Sequence, residues 1–359
     1  MSARKRDEAA PESDALPGAP APRITKTLFG HAAAEHAFLD AFRSGRMPHA
    51  WLIGGRPGIG KATLAWRVAR FLVAHPEPSA PAVQRAQDLS VDPESKAAHL
   101  VDALAAPDIA LLRREWNYES RPPKHFTEIR VDDTRRALKM FHHNAAAGGW
   151  RICIVDAADD LNRSSANALL KMIEEPPARA LFLIVAHEPG RLLPTIRSRC
   201  RKLMLKPLHI PDIVRAVEAL DDSWEKYSAA EIEKAARKAG GSVRETLRVL
   251  ARQGAASAKQ VEDLLRNLPK VDWSLVQTLV DTLARPQSAN EFDAFLETVF
   301  GWLDTRVKEA AGQGPRRLAP LAEAWDRIGA AAREAEIYNL DKRGLIIQIA
   351  EELETATKR

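Results

Sequence analysis

The stretch Trp51–Arg70, WLIGGRPGIGKATLAWRVAR, decides the fold. An apolar strand-like run, Ala50 to Ile53, enters a glycine-rich turn, and an amphipathic helix leaves it. Gly55, Gly60 and Lys61, with Gly58 between them, satisfy G-x-x-x-x-G-K, the phosphate-binding P-loop pattern. Glycine permits the tight turn and lets backbone N–H groups approach phosphate oxygens, while the following helix offers the positive end of its dipole. Lys61 has two candidate tasks: a point charge at the β- and γ-phosphates, or hydrogen bonds to carbonyls of its own loop. An active enzyme next needs Ser or Thr, whose hydroxyl holds Mg²⁺. Here that position is Ala62. Thr63 comes one residue late, turned by roughly 100° on a helix. The loop is thus expected to shape a nucleotide site, compatible with weak ATP or ADP binding, but poorly equipped for hydrolysis.

Composition sets the outer bounds. A chain of 359 residues has room for two or three domains. Hydrophobic content of 45% beside 28% charged residues reads as globular. No apolar run approaches the ~20 residues that span a bilayer. There is no apolar leader, so a cytoplasmic location and no membrane partner are expected. Cys153 and Cys200 are too few for a disulfide framework or a four-cysteine zinc site, and read as small buried apolar residues. His142, His143 and His187 lack partners at ligand spacing, so no metal is expected. The net charge of +5 tolerates phosphate contacts without demanding them.

Met1 to Pro22 is rich in Pro, Ala and charge, and reads as a disordered tail without a role of its own. Residues 23–207 read as an α/β domain: continuous apolar strands near 107–112, 151–156 and 181–185 alternate with helices, which means a parallel sheet covered on both faces. Within it, His75 to Pro107 is weakly patterned apart from a short helix near 97–105, and reads as a surface insertion. Residues 208–268 read as a small helical domain. Over 269–359, apolar stripes such as Phe292, Phe295, Leu296, Val299 and Leu303 predict a helical bundle. The fold class is α/β plus all-α.

A P-loop ATPase also needs an acid on Mg²⁺ at the end of a second strand, and beside it a glutamate that orients the attacking water. Arg151 to Asp156 (RICIVD) supplies the acid as Asp156, but the neighbour is Ala157. Hydroxyl and base are both alanine, on separate strands. Two losses in one reaction centre point to a retired site.

Four further motifs complete a pattern: Gly148-Gly149-Trp150 to Asp160, Asn167-Ala168-Leu169-Leu170-Lys171, Glu174-Glu175-Pro176-Pro177, and Leu193-Pro194-Thr195-Ile196-Arg197-Ser198-Arg199-Cys200. Together with the P-loop, and with Tyr338-Asn339-Leu340-Asp341 near the C-terminus, they resemble the bacterial clamp-loader branch of the AAA+ family from about Leu28 onward. The resemblance implies a P-loop domain, a helical lid and a C-terminal collar for assembly. It implies partners as well: ATPase subunits of the gamma/tau type, a delta subunit, and through the complex a sliding clamp and primed DNA. ATP in such loaders lies between subunits, and Arg199 matches the arginine that reaches the neighbour's γ-phosphate. A guanidinium supplied in trans is worth ~10³–10⁵ in rate for arginine fingers generally. Arg244, in Gly241-Ser242-Val243-Arg244, matches the arginine that senses nucleotide from the lid. Many relatives carry a four-cysteine zinc module after the P-loop; His75 to Pro107 contains no cysteine, so no zinc is expected.

Blander readings stand beside these. Arg199 could cap a helix C-terminus, and Asp156 could merely hold an empty loop together. Two alternatives to a non-hydrolysing subunit remain open on sequence. One is an active gamma/tau-like ATPase, with Thr63 replacing the hydroxyl and Asp159 or Asp160 the base. The other is a structural adaptor in which Arg199 does nothing.

Overall fold

Five strands form one parallel sheet: β1 (Ala50–Gly54), β2 (Ile109–Leu112), β5 (Arg151–Val155), β6 (Ala180–Ala186) and β7 (Arg201–Met204), in the order β2-β5-β6-β1-β7. A two-stranded hairpin, β3 (Trp116–Asn117) with β4 (Lys124–His125), follows β2. The computed structural model describes residues 12–13, 16, 18–120, 123–142, 149–220, 224–254, 256–285, 289–311, 315–338 and 340–358. Most of the tail, His143, Gly148 and Asn339 lie outside them, as does the side chain of His142.

Strand alternation sorts the core into two layers. Trp51, Ile53, Ile152, Ile154, Leu181, Leu183 and Val185 point to one face, where α1 (Ala32–Arg43) and α2 (Lys61–Ala74) cover them with Phe38, Phe42, Leu64, Val68 and Phe71. Ala50, Leu52, Cys153, Val155, Phe182 and Ile184 point to the other, under Leu138 of α5 (Val131–Leu138), Leu169 and Ile173 of α6 (Arg163–Glu174) and Ile196 of α7 (Pro194–Arg199). Every residue of β1, β5 and β6 is buried, which is why these runs show no polar alternation. Asn162 caps α6 by accepting from Ser165 N, and Pro176-Pro177 follows its end.

The insertion after α2 is not a surface excursion. It carries α3 (Pro81–Arg85) and α4 (Lys96–Asp102), and Val83, Leu89 and Val101 are buried in the same core as α2. A short segment with three well-spaced apolar anchors docks without showing a periodic face. Nor is the described part of the tail free of contacts. Glu12 pairs with Arg23 and Arg113, and Trp224 Nε1 donates to Gly18 O.

The chain divides into two compact units, 1–247 and 248–359. In the first, α8 (Ile210–Glu218) packs on α9 (Ala229–Lys238) through Ile213, Val217, Ile232 and Ala236, and α10 (Val243–Gly254) begins beside them in sequence. In the second, α11 (Ala256–Asn267), α12 (Trp273–Leu283), α13 (Ala289–Ala311), α14 (Pro315–Tyr338) and α15 (Lys342–Lys358) share a core of Leu264, Leu279, Phe295, Val299, Ile328 and Ile349. Among the described residues no helix is long and apolar enough to cross a membrane.

One buried charge pair ties α1 to α2. Arg67 Nε donates to Glu35 Oε1 at 2.6 Å, with both side chains under a tenth exposed. Removing one partner strands the other charge in a low-dielectric interior. Glu35→Ala is therefore expected to lower the unfolding free energy by about 3–5 kcal/mol in urea denaturation, whereas Glu35→Leu with Arg67→Met recovers most of it.

Candidate nucleotide site

In a parallel sheet the free polar groups gather at the strand ends, and the carboxyl ends of β1, β5 and β6 open onto one cavity. It holds about 410 Å³ and lies within the first unit. Gly58, Gly60, Lys61, Ala62, Thr63, Asp156, His187 and Arg244 line it together with the apolar residues Leu28, Phe29, Leu208, Ala216, Leu220 and Leu247. The P-loop, the second-strand acid and Arg244 are thus brought together; Gly55 lies in the same loop but is not among the lining residues.

The glycines of the loop are there for space as well as conformation. Gly58 has φ +73°, and a Cβ there would sit 2.4 Å from Ser242 Oγ and 2.5 Å from Arg244 Cβ. Arg244 N donates to Gly58 O at 3.3 Å, so the start of α10 packs directly on the loop. Gly60, at φ +99°, is the N-cap of α2. Lys61 is almost fully buried, and its ammonium donates to Gly55 O and Arg56 O at 2.6 Å each. These two bonds are the task internal to the loop. A nucleotide would meet Lys61, the backbone N–H groups at the start of α2 and Arg244. Ala62 offers no metal ligand.

The acids that could replace the missing base are engaged elsewhere. Asp159 accepts from the backbone N–H groups of His187 and Glu188 at 2.6 and 2.7 Å, capping the turn after β6. Asp160 pairs with Arg114 at 3.0 Å. Asp156 is buried at the cavity wall. Burial pushes the Cys153 thiol up to about 12 and that of Cys200 to about 11, so both behave as apolar residues. Among the described residues no three His, Cys, Asp or Glu side chains cluster as metal ligands.

Arg199 lies apart from this cavity. It ends α7, two-fifths exposed, with Nη2 2.9 Å from Glu174 Oε1 and Nη1 donating to Thr195 O at 3.1 Å. Three contributors escaped the sequence reading. Leu16, Ala19, Pro20 and Pro22 line the cavity, although Pro/Ala-rich composition reads as tail. His31 Nε2 donates to Ile59 O at 2.7 Å and holds the P-loop from α1's side. His187, weighed only as a metal ligand, lines the cavity. The one available signal for it was its place just after β6.

A P-loop after β1, an acid just after β5, a helix-borne arginine over the loop and this strand order define a P-loop-type α/β domain, followed by helices. A model of the family described as "DNA polymerase III, delta subunit" matches residues 30–209, half of the chain. The chain belongs to this family, as a delta-prime-like member of the clamp-loader group. It is 33% identical over 194 residues to DNA polymerase III subunit delta′ of Pseudomonas aeruginosa, covering 54% of this chain and 53% of that one. With subunit delta′ of Escherichia coli it shares 27% over 315 residues, covering 87% and 79%. With subunit gamma/tau of Mycobacterium bovis it shares 30% over 272 residues, covering 74% and 44%. The match thus spans about half the length of the Pseudomonas relative.

Burial lowers the pKa of His31 below 6.5, against the opposing pull of its bond to Ile59 and of the nearby Asp212 and Glu35. The folded state therefore holds His31 neutral while the unfolded chain binds a proton more readily. Its contribution to stability is complete above the unfolded value and is lost as pH falls from there through the lower folded value. Between about pH 7.5 and about pH 5, thermal unfolding of the wild type should shift down more than that of His31→Gln, which keeps a donor without the titration.

Proposed function

We propose that this chain is the subunit of a clamp loader that does not hydrolyse ATP itself but supplies Arg199 in trans to the nucleotide of a neighbouring ATPase subunit. The observation that carries the reading is where Arg199 lies: outside the cavity of its own P-loop, on the exposed end of α7. An arginine outside its own cavity and partly exposed supports a role toward another molecule. The chain's own site supports the same division of labour. Ala62 and Ala157 replace hydroxyl and base, Lys61 is bonded to its own loop, and Asp159 and Asp160 are held in other contacts. An active gamma/tau-like ATPase would need at least one of these acids to be available.

In this reading ATP or ADP binds the cavity weakly, if at all, and neither a catalytic cofactor nor zinc is required. The partners are gamma/tau-type ATPase subunits and a delta subunit, with a sliding clamp and primed DNA reached through the assembly in the cytoplasm. Relatives whose names are DNA polymerase III subunits delta′ and gamma/tau support that setting. Residues 269–359, within the helical unit 248–359, would serve as the collar.

Chemically, phosphoryl transfer spreads negative charge over the equatorial oxygens, and a guanidinium fixed beside them stabilises that charge without forming a bond. In a reconstituted loader with clamp and primed DNA, Arg199→Ala is expected to reduce the rate of ATP hydrolysis at least tenfold, ~1.4 kcal/mol of barrier, with assembly unchanged. An unchanged rate would leave the chain a scaffold. Truncation after Gln253 should abolish co-elution with the partner subunits in gel filtration; a complex that survives it would remove the collar from the reading.

A further inference from the structure

We infer that Glu174 is a positioning residue for Arg199, holding the guanidinium in the pose in which it meets a neighbour's nucleotide. The inference rests on the trans role proposed above. Glu174 is the last residue of α6 (Arg163–Glu174). A carboxylate at a helix C-terminus faces unpaired carbonyls and the negative end of the helix dipole, so it is unfavourable there without a cation beside it. The cation is Arg199, at the end of α7, 2.9 Å away.

Both ends of the pair stand on fixed ground. Leu169 and Ile173 of α6 are buried in the same core as Ile196 and Cys200, so the main chains that carry Glu174 and Arg199 are set by packing. Pro176 and Pro177 follow the C-cap Glu175 and stop α6 there. Thr195 O takes a hydrogen from Nη1 while Glu174 takes Nη2, so both ends of the guanidinium are held by its own subunit. The side chain is two-fifths exposed, which leaves one side of the group open to solvent.

A free arginine samples many rotamers, and ordering it costs about 0.5–1.5 kcal/mol when it docks. Anchored beforehand by Glu174 and Thr195, it meets the phosphate with part of that cost already met, and its remaining N–H donors stay available. The pair is a surface one of ordinary strength, so the effect should be modest. It should also act only through Arg199, a property that an ordinary stabilising ion pair does not have.

The test is a double-mutant cycle in the reconstituted loader with clamp and primed DNA, with wild type, Arg199→Ala, Glu174→Ala and the double variant. Glu174→Ala is expected to lower kcat about three- to fivefold with KM for ATP unchanged, to lose nothing further when Arg199 is already alanine, and to leave assembly intact. Glu174→Gln, which keeps a carbonyl acceptor and the side-chain volume, should retain part of the rate and guards against a folding defect. A rate for Glu174→Ala equal to or above wild type would overturn the inference while leaving the trans role standing. So would a double variant clearly slower than Arg199→Ala alone. Full activity of Arg199→Ala would instead overturn the trans role, and the inference with it.

Discussion

A parallel sheet buried on both faces has no room for polarity except at the ends of its strands. Here every residue of β1, β5 and β6 is buried, so each backbone polar group must be paired within the sheet and the side chains are apolar apart from Arg151, at the start of β5, which donates to Phe141 O and Ala178 O. The first polar side chains that the chain can place after such a strand fall at its carboxyl end. Lys61, Asp156 and His187 all follow strand ends in this way, and the cavity is where they meet. Site and core are therefore consequences of the same constraint. The tight turn after β1 follows too, because the chain must reverse into α2 against the lid residue Arg244, and only a glycine at position 58 leaves space for it.

That constraint also explains what could be read in advance and what could not. The P-loop, the acid that ends RICIVD and the apolar strands are contiguous in sequence, so periodicity and motif expose them. The layered sheet and the later helical unit follow from such runs. The insertion after α2 and the segment 16–22 do not work that way. Val83, Leu89 and Val101 are isolated anchors in polar surroundings, and Leu16, Ala19 and Pro20 wall the cavity from a stretch whose composition resembles a linker. Their burial is decided by distant partners rather than by neighbours in sequence. The same holds for Glu35 with Arg67 and for Glu174 with Arg199, pairs separated by 32 and 25 positions (67 − 35 and 199 − 174). Nothing local marks either member.

The two alanines acquire meaning from their surroundings. A missing hydroxyl at position 62 and a missing base at 157 would be compensated only if nearby groups were free to substitute. Thr63 does line the cavity, but Asp159 is engaged in capping the turn after β6, a task that requires its carboxylate to stay where it is. Lys61, bonded to Gly55 O and Arg56 O, would have to exchange two short charge-assisted hydrogen bonds for phosphate contacts. A nucleotide entering this site would therefore displace contacts that already satisfy the loop. A metal would find no hydroxyl at position 62.

Arg199 poses the opposite case. A surface arginine with no role tends to be loosely held, because surface ion pairs barely offset the entropy of fixing two long side chains. This one is bonded at both ends of its guanidinium, to Glu174 and to Thr195 O, from two elements whose main chains are anchored in the same core. The chain thus leaves its own reaction centre without hydroxyl and base, yet holds a cation in a fixed pose away from it. Fixing a cation is useful where charge develops at a defined place and moment, which is the condition of phosphoryl transfer at a subunit boundary. Such a subunit needs an intact P-loop fold to set the shape of α7 and β7, but does not need that P-loop to turn over. On the proposed reading, the glycines and Lys61 keep the shape of the loop, while alanine at positions 62 and 157 leaves it without hydroxyl and base.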